Sequence, residues 1–215
     1  MTANTLDRGR ARRPGLLARL WRALTRPTVH FSLGVLLLAG AVGGVLFWGG
    51  FNWAMEATNN EQFCVSCHEM RENVYAEYRG TVHDSNASGV RATCPDCHVP
   101  REWTHKVVRK IEASKELYHH LIGSMPTKEA FEDQRLRLAG NVWTAMKATD
   151  SRECRNCHNF AGMDIAQQGP RARPLHLQAQ EQGQTCIDCH KGIAHNLPAG
   201  AAELERKVNE KFATK

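Results

Sequence analysis

Eight cysteines stand in four copies of one pattern: Cys64-Val65-Ser66-Cys67-His68, Cys94-Pro95-Asp96-Cys97-His98, Cys154-Arg155-Asn156-Cys157-His158 and Cys186-Ile187-Asp188-Cys189-His190. None is left over. Two thiols separated by two residues can clasp zinc, close a redox disulfide or add to the two vinyl groups of a haem, and a histidine directly after them separates these chemistries. Among 215 residues with 11 histidines, four such coincidences have a chance probability on the order of 1 in 100,000. The pattern therefore predicts four covalently bound haem c groups, attached at Cys64, Cys67, Cys94, Cys97, Cys154, Cys157, Cys186 and Cys189, with the trailing imidazoles sent to iron. A zinc ribbon has no need of that histidine, and adjacent CxxC pairs close small strained rings suited to exchange rather than stapling.

Four irons need further ligands. The motifs begin at 64 and 94 and at 154 and 186, gaps of 30 and 32 around a middle gap of 60, so the chain reads as two dihaem modules. His83 lies 11 residues before Cys94 and His176 lies 10 before Cys186; His195 follows His190 by five and His105 follows His98 by seven. The repeat nominates His83, His176 and His195, and less strongly His105, beside the motif ligands His98, His158 and His190. His119 and His120 have no repeat partner and read as ordinary helix residues. In the first module Met70 makes the motif CxxCHxM, so His68 and Met70 are both candidates for the first iron; a thioether raises the potential relative to a bis-histidine site.

The elements that must position these groups are helical. After Pro100, Trp103, Val107, Ile111, Ser114, Tyr118 and Leu121 recur at helical spacing, with Ser114 a small exception in an apolar stripe. Gly123 and Pro126 end this helix, and a second is expected from about Phe131 to Met146. Residues 56–215 leave roughly 40 residues per haem, too few for a large apolar core, so porphyrin must supply much of it. The expected fold is mainly α: a single transmembrane helix plus a small multihaem cytochrome c domain of short helices and loops wrapped around four haems.

The net charge of +6 has one source. Residues 1–26 carry seven arginines against Asp7, and the other 189 residues carry 21 charges of each sign. A basic tail without a basic patch elsewhere argues against nucleic-acid binding, and 42% hydrophobic residues without a biased repeat argue against low-complexity disorder. Pro27 to Met55 is a run of 29 uncharged residues, longer than the roughly 7–15 apolar residues of a cleavable leader. No small-x-small cleavage site follows, so it reads as an uncleaved signal anchor in membrane lipid. The arginines place the N-terminus in the cytoplasm and the haem domain in the periplasm of a bacterial inner membrane, the side on which haem c is attached. Phe47, Trp48, Phe51 and Trp53 would form the outer aromatic collar. Gly40 and Gly44 make one GxxxG spacing compatible with a homodimer, although glycine is common in membrane helices in any case. The parts are then a cytoplasmic tail (1–26), an anchor (27–55), a first dihaem module with the long helix (56–125) and a second module with the C-terminal tail (126–215).

With these motifs in hand, the chain resembles the NapC/NirT family of membrane-anchored tetrahaem quinol dehydrogenases. The resemblance runs from the anchor to the fourth motif and is most specific at CVSCHEM (Cys64 to Met70) and at TCPDCHVPREWTHKVVRKIEASKELYHHLIG (Thr93 to Gly123). Some relatives carry a C-terminal extension with another haem, whereas this chain continues 25 residues past His190 and resembles the short form. The resemblance implies that Met70 rather than His68 ligates the first haem, that His83 pairs with His190, His195 with His158 and His98 with His176. It implies oxidation of membrane quinol, menaquinol or ubiquinol, beside the first haem, with Lys110 orienting the quinol oxygen and Glu116 accepting its proton. Arg109 and Lys106 are rivals for the basic role, because six residues on a helix leave about 120° between Lys110 and Glu116. The implied acceptor is a periplasmic reductase, foremost nitrate reductase. The rival from another class is a haem conduit or sensor that receives its electrons from another membrane protein.

Overall fold

The uncharged run folds as one long helix. In the computed structural model, which describes residues 15–25 and 29–213, a short helix α1 (Leu16–Thr25) precedes α2 (Leu33–Ala57). At about 1.5 Å per residue α2 is about 37 Å long, enough to cross a hydrocarbon core of about 30 Å. Its six glycines would each cost a helix in water about 1 kcal/mol. Its leucine and valine side chains and Phe47 are exposed, and none of its most apolar window is buried. A core helix of a soluble domain would hide that face, so α2 has the character of a membrane anchor. Of the basic tail expected over 1–26, residues 1–14 and Arg26 lie outside the described residues.

The chain forms two units, Met1–Phe51 and Asn52–Lys215, with α2 running through the boundary. In the second unit the elements are α3 (Glu61–Cys64), a π-helical turn (Met70–Tyr75), α4 (Ala76–Tyr78), α5 (Cys94–His98), α6 (Trp103–Leu121), α7 (Lys128–Ala148) and α8 (Arg152–Arg155). Two 3₁₀ turns (Phe160–Gly162 and Ile165–Gln167), α9 (Ala172–Glu181), α10 (Cys186–Cys189) and α11 (Ala201–Ala213) complete it. Among the described residues there is no strand, and the mainly α expectation holds.

Local chemistry sets these boundaries. α6 begins and ends where the apolar stripe does; Gly123 adopts φ 64° and its N–H donates to His120 O at 3.0 Å, closing the last turn. α7 starts three residues earlier than the pattern suggested because Thr127 caps it, its hydroxyl accepting from Ala130 N at 3.3 Å. α5 and α10 share a capping box: Thr93 with Asp96 and Thr185 with Asp188 exchange side-chain and backbone hydrogen bonds. Such a box stabilises one helical turn that carries two cysteines and a histidine.

The apolar core is small, as the residue-to-haem ratio implied. Trp143, Ile187 and Val208 are buried together, packed by Ala139, Val142, Met146, Ala201, Leu204 and Phe212 from α7 and α11. α11 approaches α7 closely at Gly140, where an added Cβ would lie 3.0 Å from Leu204 Cδ1. The core thus fastens the fourth motif, through Ile187, to the two longest helices of the second half.

Candidate haem and quinol site

None of the eight cysteines is in a disulfide. The four motifs follow one another in space in chain order. Cys64 and Cys94 are within hydrogen-bonding contact, Cys97 is an electrostatic neighbour of Cys157, and Cys154 of Cys186. Ser151, wholly buried and at φ 50°, joins the third motif to the fourth by accepting from Ile187 N at 3.1 Å.

Histidines outside the motifs come to meet histidines within them. Ring centres lie 6.2 Å apart for His98 and His195, 6.3 Å for His83 and His158, and 6.0 Å for His176 and His190. Two imidazoles on opposite faces of one iron, each with a metal–nitrogen bond of about 2.0 Å, have ring centres about 6 Å apart. These pairs fit a haem between them. His195 Nδ1 lies 3.1 Å from Val74 O, and His176 Nδ1 2.5 Å from Gln168 Oε1, so each keeps Nε2 for metal. Burial lowers His98 to about 4, helped by His195 and Arg109, and burial lowers His195 as well. Both are therefore neutral, the form that ligates.

These approaches differ from the pairing the resemblance implied. His83 meets His158 and not His190; His195 meets His98 and not His158; His176 meets His190 and not His98. The histidines nominated by the repeat, His83, His176 and His195, each lie beside a motif histidine, two across modules and one within. His105 Nδ1 lies 2.7 Å from Glu102, with an exposed side chain, and pairs with no motif histidine among the described residues.

The first motif is built differently. His68 and His120 have ring centres 6.0 Å apart, but the Glu69 carboxylate bridges them, 2.9 and 3.0 Å from His120 Nδ1 and 3.3 Å from His68 Nε2. Burial alone would raise the Glu69 carboxyl, yet the His120 hydrogen bond and a backbone amide hold it below the usual range. Met70 opens the π-helical turn and is partly exposed.

Within the second unit, helix α6 is fastened to residues 52–58 at three places. Trp103 Nε1 donates to Asn52 Oδ1 at 3.1 Å, Lys106 Nζ to Glu56 Oε1 at 2.7 Å, and Lys110 Nζ to Thr58 O at 2.6 Å and Thr58 Oγ1 at 3.1 Å. Burial lowers Lys110. Lys110 and Glu116 both act electrostatically on Cys64, so both stand beside the first motif. They do not pair: Arg109 holds Glu116 at 2.8 Å and also donates to His98 O at 3.3 Å, as the shared face of residues seven apart requires.

Residues 26–200 match the NapC/NirT cytochrome c family, N-terminal region. The chain belongs to this family. It is 56% identical over 197 residues to the denitrification system component NirT of Stutzerimonas stutzeri, covering 92% of this chain and 96% of that one. It is 57% identical over 187 residues to the cytochrome c-type protein NapC of Escherichia coli K12, covering 87% and 93%. With NapC of Paracoccus pantotrophus it shares 55% over 185 residues, 86% and 78% of the two chains. No solved structure matches. As a NapC/NirT cytochrome the chain is a membrane-anchored electron-transfer protein carrying haem c, and the cysteines and facing imidazoles fit that group.

Two features of this NapC/NirT cytochrome escaped the sequence reading. His120 was given an ordinary helix role, and Glu69 was not singled out. Both are single residues without a repeat, and they come together only when α6 packs beside the first motif. The capping boxes of α5 and α10, by contrast, are visible as Thr-x-x-Asp.

Proposed function

We propose that this cytochrome oxidises membrane quinol at the periplasmic face of the inner membrane and delivers the electrons to a periplasmic reductase, with nitrate reductase as the acceptor. The arginine-rich N-terminus is cytoplasmic and residues 56–215 are periplasmic. Haem c at all four motifs supplies one-electron carriers, enough to take both electrons of a quinol before the reductase docks. Cys64, Cys67, Cys94, Cys97, Cys154, Cys157, Cys186 and Cys189 attach them; His98 with His195, His158 with His83 and His190 with His176 hold three irons, and Met70 holds the first.

The observation that carries this reading is that Lys110 and Glu116 lie within electrostatic reach of Cys64, on a helix tied to residues 52–58 at the end of the apolar anchor. A quinol leaving the lipid there meets Lys110, whose ammonium spends two contacts on Thr58 and has a third donor for a quinol oxygen. Glu116, anchored by Arg109 at one oxygen and otherwise exposed, accepts a hydroxyl proton. The quinol loses two protons to the periplasmic side and two electrons to the protein.

Stopped-flow reduction of the purified holoprotein by menaquinol and ubiquinol analogues, followed by periplasmic nitrate reductase, tests both halves. Fast reduction abolished by Glu116→Gln at unchanged haem content is the expected result. A holoprotein that quinol alone does not reduce would instead be a conduit fed by another membrane protein.

A further inference from the structure

The first motif carries a device that the other three lack. In the pairs His98–His195, His83–His158 and His176–His190 no carboxylate bridges the rings among the described residues. At His68 the Glu69 carboxylate fills the gap, 3.3 Å from His68 Nε2 and 2.9 Å from His120 Nδ1. A haem-ligating imidazole needs its Nε2 about 2 Å from metal, with a porphyrin plane between itself and any ring beyond. An oxygen touching both rings occupies that space.

Glu69 is fixed from two sides. The residue is 5% exposed, its side chain held by His120 from the last turn of α6, and its carbonyl accepts from Asn73 Nδ2 at 2.9 Å. Asn73, itself buried, sits within the wide π-helical turn that begins at Met70. Such turns insert a residue into the helical register and recur at functional sites. The residue that follows the clamp is therefore the thioether.

We infer that Glu69, gripped by His120, is a positioning residue that holds His68 off the first haem iron and so leaves that axial place to Met70. This rests on the reading that haem c is bound at the first motif with Met70 as ligand. Neither Glu69 nor His120 touches the iron; they decide which of two neighbouring donors does.

The test uses the full-length holoprotein, its haem content checked by pyridine haemochrome, with near-infrared magnetic circular dichroism and potentiometry. Wild-type protein is expected to show a methionine-to-iron charge-transfer band that Met70→Leu removes. Glu69→Ala should lose the same band and shift the first-haem potential downward, because His68 captures the iron and a thioether ligand favours the reduced form. The double change Glu69→Ala with His68→Phe should restore the band, a rescue that general damage to the fold would not give. If Glu69→Ala fails to incorporate haem, His120→Phe releases the same clamp and carries the same expectation. A band present in wild type and unchanged in the clamp variants overturns the inference while the Met70 ligation stands. Absence of the band from wild-type holoprotein overturns the Met70 ligation and the inference with it.

Discussion

His98 and His195, 97 residues apart in the chain, lie with ring centres 6.2 Å apart and planes inclined by 23°. The second motif of one module thus takes its partner from the loop that closes the other. His83 makes the reverse crossing to His158. On the proposed ligation neither module completes its haem sites alone, and loss of one partner should be felt in the half of the molecule that did not change.

The crossing gives a first prediction. His83→Ala should convert one low-spin haem to high-spin, and that haem should be the one attached at Cys154 and Cys157. Electron paramagnetic resonance counts the low-spin centres. In a Cys154→Ser, Cys157→Ser background, which lacks that haem, adding His83→Ala should remove no further low-spin signal. A further loss there would return His83 to the fourth haem.

How much of this was legible beforehand follows from the distance each signal spans. The CxxCH motifs are five-residue patterns that stand in the sequence itself, as does α6, whose apolar stripe and glycine stop are contained in one segment. The repeat singles out His83, His176 and His195 but not which motif histidine each ring approaches, because His83 and His176 hold equivalent places in the repeat and lie beside different kinds of partner, one across modules and one within. Pairing is decided by how α7 and the segments after it fold back, and no local pattern records that. The Glu69–His120 contact spans 51 residues and joins two residue types common on any surface, so nothing short of the fold could reveal it.

Arg135 supplies a prediction about stability. The residue is 8% exposed, and its guanidinium meets Glu77 at 2.6 and 2.9 Å and Glu132 at 2.6 and 2.7 Å and lies 5.1 Å above the Phe131 ring. Glu77 also accepts from Asn196 N at 3.0 Å, next to His195, so this pair seats the loop that carries a ligand. Arg135→Leu leaves the largely buried Glu77 carboxylate without a cation, held only by the Asn196 amide, and should cost roughly 3 kcal/mol. Denaturant unfolding measures the loss, and the low-spin signal of the second haem should broaden with it.

The same pair fixes a dependence on pH. Burial alone would raise the Glu77 carboxyl, but the Arg135 and Asn196 hydrogen bonds outweigh it and hold it below its ordinary 4.5. A carboxyl depressed in the folded state contributes its stability in full above the unfolded value, and that contribution is lost as pH falls through the folded one. Stability should therefore decline as pH falls below about 4.5. Glu77→Gln should lower stability at neutral pH and flatten this part of the acid limb; an acid limb of unchanged slope would assign it to other carboxylates.

The ladder joining α6 to residues 52–58 makes a prediction about rate. Lys106→Met removes the 2.7 Å contact with Glu56 without touching the residues assigned to quinol. If the ladder sets how Lys110 and Glu116 face the lipid, Lys106→Met should raise KM for a quinol analogue several-fold with a smaller change in kcat, and leave haem content and potentials unaltered. Lys110→Met, which removes a donor to the quinol itself, should lower kcat as well. Steady-state oxidation with each variant separates the two.

Ser151 sits where two motifs meet, and its loss should be specific. Asp150 and Ser151 adopt φ 51° and 50°, a conformation costing roughly 1–2 kcal/mol per residue away from glycine. Arg155 steadies the first of them, donating to Asp150 O and Oδ1 at 2.8 Å each. The fully buried Ser151 hydroxyl accepts from Ile187 N, at the start of the fourth motif. Ser151→Ala keeps the strain and strands a buried N–H, a loss of about 1–3 kcal/mol; Ser151→Gly loses the same bond but relieves the backbone, so it should be the milder change. Thermal unfolding should rank wild type above Gly above Ala. Since Ile187 belongs to the core with Trp143 and Val208, the alanine variant should also under-incorporate haem at Cys186 and Cys189 before it affects the first motif, which peptide mapping of haem-bearing fragments would detect.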